Sequence, residues 1–132
     1  MVTARVFLLS PANCGGSRAR QLLSPRAAFP LAERLRSADG APLGDVFAFV
    51  SGLYFRGKLA YARRFAVAPR PGDPTGAAGI HVITAMEGLA SPDRLITSAV
   101  LNGFAGQEIS AENQAFSGPL ARSAGALRDG RG

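Results

Sequence analysis

Three short apolar runs, at residues 6–9, 46–50 and 80–84, constrain this chain more than any other feature of its sequence. Each is rich in Val, Ile or Phe, and each ends at a small polar residue or glycine. Unbroken apolar runs of this length fit strands covered on both faces, as in a parallel sheet. Helical spacing fills the intervals. Residues 18–23 read as a first helix capped by Asn13 or Ser17, and residues 31–36 as a second, entered through Pro30. Phe55, Leu59, Ala62 and Ala66 recur at i, i+4, i+7 and i+11, an apolar stripe on a third helix. Arg56 and Arg63 share a different face of it, and Pro69 and Pro71 stop it. Ile96, Val100, Leu101 and Phe104 form a last stripe behind Thr97.

This alternation predicts an α/β fold, a small three-layer sandwich with a mostly parallel central sheet. Three strands make a small sheet, so a further strand is expected at 108–110 or 41–43. At 132 residues the chain has room for one ordinary domain. Residues 1–116 read as that domain, residues 69–79 as a loop of turn formers within it, and residues 117–132 as a flexible tail. No run approaches the roughly 20 apolar residues of a membrane helix. Residues 6–9, closed by Ser10-Pro11, are too short for a signal-peptide core, so a cytoplasmic protein without membrane partners is expected. One cysteine excludes an internal disulfide and a multi-cysteine zinc site, and no cofactor or metal is expected.

Charge is unevenly placed. Residues 1–70 carry 11 basic and 3 acidic side chains, whereas residues 71–132 carry 4 basic and 6 acidic ones. A one-sided basic field attracts polyanions over about 10 Å at physiological salt. Nucleic acid, a nucleotide or an acidic protein each fit that field, as does a solvated arginine-rich surface.

The three runs also end alike: Ser10, Ser51 and Thr84 occupy one place in three units. In a parallel sheet those exits share the carboxyl edge, where ligands of open α/β sheets bind. Behind the first run, Asn13, Cys14, Gly15 and Gly16 precede a helix, a place where free N–H groups cradle phosphate, with Arg18 adding charge. Neither standard nucleotide-binding glycine fingerprint is present. Gly52, Arg56 and Lys58 lie behind the second run as further ligand contacts, and Tyr54 and Phe55 offer rings for stacking a base. Glu87 and Asp93 lie behind the third as candidate catalytic carboxylates. A helix N-terminus near arginines favours a Cys14 thiolate, and a Cys14–His81 pair oriented by Glu87 or Asp93 is an alternative chemistry.

Three segments together resemble a group of small bacterial and phage domains. Ser51-Gly52-Leu53-Tyr54-Phe55-Arg56-Gly57-Lys58-Leu59-Ala60-Tyr61-Ala62 looks like that group's Phe-Arg, basic, Tyr-Ala segment. Val82-Ile83-Thr84-Ala85-Met86-Glu87-Gly88-Leu89-Ala90-Ser91-Pro92-Asp93 is similar to its strand, Gly-Leu turn and subsequent Asp. Ser10-Pro11-Ala12-Asn13-Cys14 is similar to its opening loop. The group is related to peroxide-stress proteins and uracil-DNA-glycosylase-like domains, and the resemblance implies a connection with nucleosides or nucleic acid. Two readings are open. One is a nucleotide- or nucleobase-binding domain, with a site at the carboxyl edge of the sheet and a role in base modification. The other is a non-catalytic module that binds nucleic acid or an acidic partner through the arginine-rich half. A homodimer would compensate for a small sheet.

Overall fold

A computed structural model describes residues 6–66, 79–107 and 109–128 of the chain. The first half holds β1 (Phe7–Leu9), α1 (Ser17–Leu23), α2 (Pro30–Arg36), β2 (Ala41–Pro42), α3 (Leu43–Ser51) and α4 (Leu53–Phe65). The second holds β3 (Ile80–Ile83), β4 (Leu89–Ala90), β5 (Leu95–Ile96), α5 (Ser98–Ala105) and α6 (Gln114–Arg128).

The first and third apolar runs are strands, and they pair in parallel, with Phe7 opposite Ile80 and Leu9 opposite Val82. The alternation of burial follows the two-residue repeat of a strand: Leu9, Ile80 and Val82 face the core, whereas Leu8 is exposed opposite His81. The rest of the sheet is not parallel. A hairpin brings β4 antiparallel onto β3, and β2 pairs antiparallel with β5 in a separate two-stranded sheet. The architecture is thus helices on two small sheets with one parallel pair, not a mostly parallel central sheet. Of the two places expected to hide a strand, Ala41–Pro42 is one, while Ile109 and Ser110 lie outside any strand and Glu108 lies outside the described residues.

The second run, expected as a strand, is helical. Leu43, Val46, Phe47 and Val50 are all buried, and their spacing of 0, 3, 4 and 7 is one face of a helix. A window confined to residues 46–50 shows only continuous apolarity, which a buried strand shares. The cap of α3 comes from far along the chain: the Leu43 and Gly44 N–H groups donate to the Arg94 and Pro92 carbonyls at 2.8 Å each. Gly52, at φ 71°, ends α3 and turns directly into α4. The two helices pack together through Phe47 and Phe55, whose rings meet edge to face at 5.8 Å.

Other expected elements are present. Pro30 opens α2 at its first turn, and α4 buries Phe55, Leu59 and Ala62. In α5, Leu101 and Phe104 are buried behind Thr97 at the N-cap. Residues 117–128, expected as a flexible tail, belong to α6, while the rest of that tail lies outside the described residues, as does most of the 69–79 loop with Pro69 and Pro71. Asn113 Oδ1 accepts the Ala115 N–H at 3.2 Å, a side-chain cap that the Gly118-Pro119 composition obscures. The helix packs on β4 at Gly88.

Candidate functional site

The carboxyl edge of the sheet does not assemble as the sequence suggested. Ser10 and Thr84 do stand just past the two parallel strands, but Ser51 is the last residue of α3 and belongs to the turn at Gly52. Thr84 is fully buried and engaged: its hydroxyl donates to the Gly88 carbonyl at 2.8 Å and accepts the Glu87 N–H at 2.8 Å. Both bonds close the β3–β4 hairpin, a structural role in place of the expected ligand contact. Glu87 forms a two-pronged pair with Arg94, at 2.8 Å to Nε and 2.7 Å to Nη2. That hydrogen bonding raises the Arg94 pKa. Asp93 pairs at 3.3 Å with Arg63 on the surface. Among the described residues, the side-chain partner of each of these two carboxylates is thus an arginine.

The first loop turns its donors inward. Asn13 Oδ1 accepts the Gly15 N–H at 3.2 Å, and the Asn13 carbonyl accepts the Gly16 N–H at 3.3 Å. Arg18, expected to add charge to an anion cradle, donates from Nε to the Phe49 carbonyl at 3.0 Å and lies 4.1 Å above the Phe49 ring. It fastens α1 to α3. Arg20 donates to the Gly15 carbonyl at 3.1 Å.

Cys14 is buried, and its Sγ donates to the Ala12 carbonyl. Burial pushes the thiol up to about 11, the opposite of the thiolate expected from its place before a helix. His81 is half-buried, and burial lowers its pKa. No hydrogen bond joins the two among the described residues. With its pKa raised from 9.0 to about 11, Cys14 holds on the order of a hundredfold less thiolate near pH 8 than an ordinary cysteine. Maleimide labelling of the folded protein is therefore expected to be at least that much slower than labelling in denaturant. Equal rates would show a reactive thiol.

A concave feature forms elsewhere, among α2, α3 and α4. It is an open groove of about 410 Å³. Gly44 and Ala48 of α3 and Leu59 and Ala60 of α4 give it a largely apolar lining. Arg56 and Arg63 stand along one side, seven residues apart on α4, and Asp45 lines it from α3. Asp45 is in loose contact with Arg34 at 3.8 Å. The Arg56 side chain makes no hydrogen bond or ion pair among the described residues. Three other early arginines are used by the fold: Arg18 on the Phe49 carbonyl, Arg20 on that of Gly15, and Arg36 on the Ser24 and Ala27 carbonyls at 3.2 and 2.6 Å.

Helix α4 gathers four cations, Arg56, Lys58, Arg63 and Arg64, and carries no acidic residue. Sequence reading singles out Arg56 and Lys58 there and shows the shared face of Arg56 and Arg63, but does not mark Arg63 as a contact. Of the two rings expected to stack a base, Phe55 is buried in the core, whereas Tyr54 is 77% exposed. Among the described residues, no three of His, Cys, Asp and Glu converge as a metal would need, and no helix is long and apolar enough to cross a membrane. Comparison with protein families, with curated proteins and with solved structures returned no match.

Proposed function

We propose that this protein is a non-catalytic binding module for nucleic acid that holds the phosphate backbone along the α4 side of the groove. The observation that carries the reading is Arg56: a cation beside an apolar groove, one helical face from Arg63, with no partner among the described residues. An unpaired guanidinium presents a fork of donors suited to phosphate oxygens. Arg63 joins it by leaving an exposed pair with Asp93, a bond of small net worth. Seven residues of helix separate the two cations by about 10 Å, so one extended anion touches both. The engagement of Thr84, Glu87, Asp93 and Cys14 with the protein itself supports binding in preference to catalysis.

The test is fluorescence anisotropy of a labelled oligonucleotide at several salt concentrations. Affinity is expected to fall steeply with salt, and Arg56→Ala/Arg63→Ala is expected to reduce the logarithmic salt slope by about 1.5, at roughly 0.7–0.9 per phosphate contact. The expected loss of affinity is at least tenfold near physiological salt. Circular dichroism should be unchanged, because both side chains are exposed. An unaltered slope in the double variant, or stabilisation by mononucleotides alone, overturns this reading.

A further inference from the structure

A second row of side chains on α4 has no part in the groove. Tyr54, Lys58, Tyr61 and Phe65 recur at i, i+4, i+7 and i+11, the spacing of one helix face. Phe55, Leu59 and Ala62 form the buried row, and Arg56, Ala60 and Arg63 the groove row. At 100° per residue the Tyr54 row and the Arg56 row flank the exposed back of the helix. Large aromatic side chains are unusual tenants of such a face. Tyr54 is 77% exposed, Tyr61 59% and Phe65 37%. Their rings are held in place: Lys58 Nζ lies 4.5 Å over Tyr54, and Tyr61 sits between Phe7 at 5.8 Å and Phe65 at 4.6 Å.

Gly57 adds an independent observation. It lies in the interior of α4, on the exposed back, three residues after Tyr54 and four before Tyr61. A Cβ built there meets nothing within 4 Å, and its backbone is not in the left-handed region. Neither space nor conformation calls for glycine, and glycine weakens a helix interior relative to alanine. What it does is leave bare backbone between two exposed rings. The tyrosines are seven residues apart, about 10 Å along the axis, which leaves room for about two bases at roughly 3.4 Å per stacked step.

The geometry points to single-stranded nucleic acid as the ligand class, its bases stacked on the Tyr54–Tyr61 face over Gly57 and its phosphates turned toward the arginine row. This rests on the nucleic-acid reading above and narrows it. Every base has a flat face, so stacking on rings beside cations favours unpaired strands without demanding a sequence. In a duplex those faces are covered by neighbouring pairs. The groove arginines alone would serve either form.

The protein supplies its own reporter, having two tyrosines and no tryptophan. Titration with oligodeoxythymidylate is expected to quench tyrosine emission, and a duplex of equal length is expected to bind more weakly without quenching. Tyr54→Ala and Tyr61→Ala should each weaken single-strand binding about tenfold and leave duplex binding unchanged. Tyr61→Phe should retain affinity, because the ring remains. Gly57→Leu should raise the melting temperature yet weaken single-strand binding, a split that a purely structural residue does not produce. Equal affinity for both forms, insensitive to the tyrosines but lost in Arg56→Ala/Arg63→Ala, overturns the stacking inference and leaves the groove reading standing. Polyglutamate or anionic vesicles bound with the same tyrosine dependence also overturn it. No binding of either nucleic acid overturns both.

Discussion

Phe47→Ala is expected to cost about 3–5 kcal/mol of folding stability, the usual range for emptying a buried phenylalanine site. Phe47 is fully buried, and its ring meets Phe55 of α4 at 5.8 Å and Phe104 of α5 at 6.4 Å, both near perpendicular. Three helices therefore lose a common contact when it is truncated. Whole-domain stabilities of about 5–15 kcal/mol make this a large fraction of the total. Urea unfolding followed by circular dichroism is the measurement, with the midpoint falling and the slope unchanged. Phe47→Leu keeps most of the volume and should recover more than half of the loss. A loss below about 1 kcal/mol for Phe47→Ala would mean that α3 does not sit in the core as described, and that the strand reading of residues 46–50 must be reopened.

The second large effect is expected at Gly88. Its φ of 68° already disfavours any side chain, and a Cβ there would lie 2.5 Å from the Pro119 carbonyl oxygen and overlap Ser123 Oγ. Gly88→Ala must therefore either push α6 away from β4 or distort the Thr84 turn, in which the Thr84 N–H and hydroxyl both donate to the Gly88 carbonyl. Backbone strain alone accounts for about 1–2 kcal/mol, and the steric overlap adds to it. Gly52→Ala is the control, since Gly52 has a similar φ of 71° with nothing within 4 Å of its added Cβ. Because Gly52 has ψ −146°, its alanine variant carries a backbone strain of its own, so the packing of α6 is read from α6 itself. Helicity should fall and proteolysis within residues 114–128 should quicken in Gly88→Ala only. Equal behaviour of the two variants would return residues 117–128 to the flexible tail that their composition suggests.

Local signals were legible in proportion to how locally they are satisfied. Pro30 opening α2 and the Phe55, Leu59, Ala62 stripe of α4 depend on neighbours within a few residues, and both stand in the structure. The parallel pairing of β1 with β3 agrees with their apolar runs. The rows on α4 were equally readable: the spacing of Tyr54, Lys58, Tyr61 and Phe65 needs no coordinates, only attention to a second period along the same helix. The expected sheet-edge site was illegible for the opposite reason. Whether Arg18 faces a ligand or the Phe49 carbonyl depends on a residue 31 positions away. Glu87 and Arg94 are only seven positions apart, yet the hairpin and the turn at Ser91–Arg94 must form before they meet.

By itself, then, the order of residues determined the helical faces of α2 and α4, the parallel strand pair and the basic first half, because periodicity and charge are properties of the chain. Tertiary structure alone decided that residues 46–50 coil, since the N–H groups opening α3 are satisfied by carbonyls from residues 92 and 94. It also decided which cations remain for a ligand. A guanidinium binds whichever oxygen is nearest, and only packing determines whether that oxygen belongs to the protein or is left to a partner.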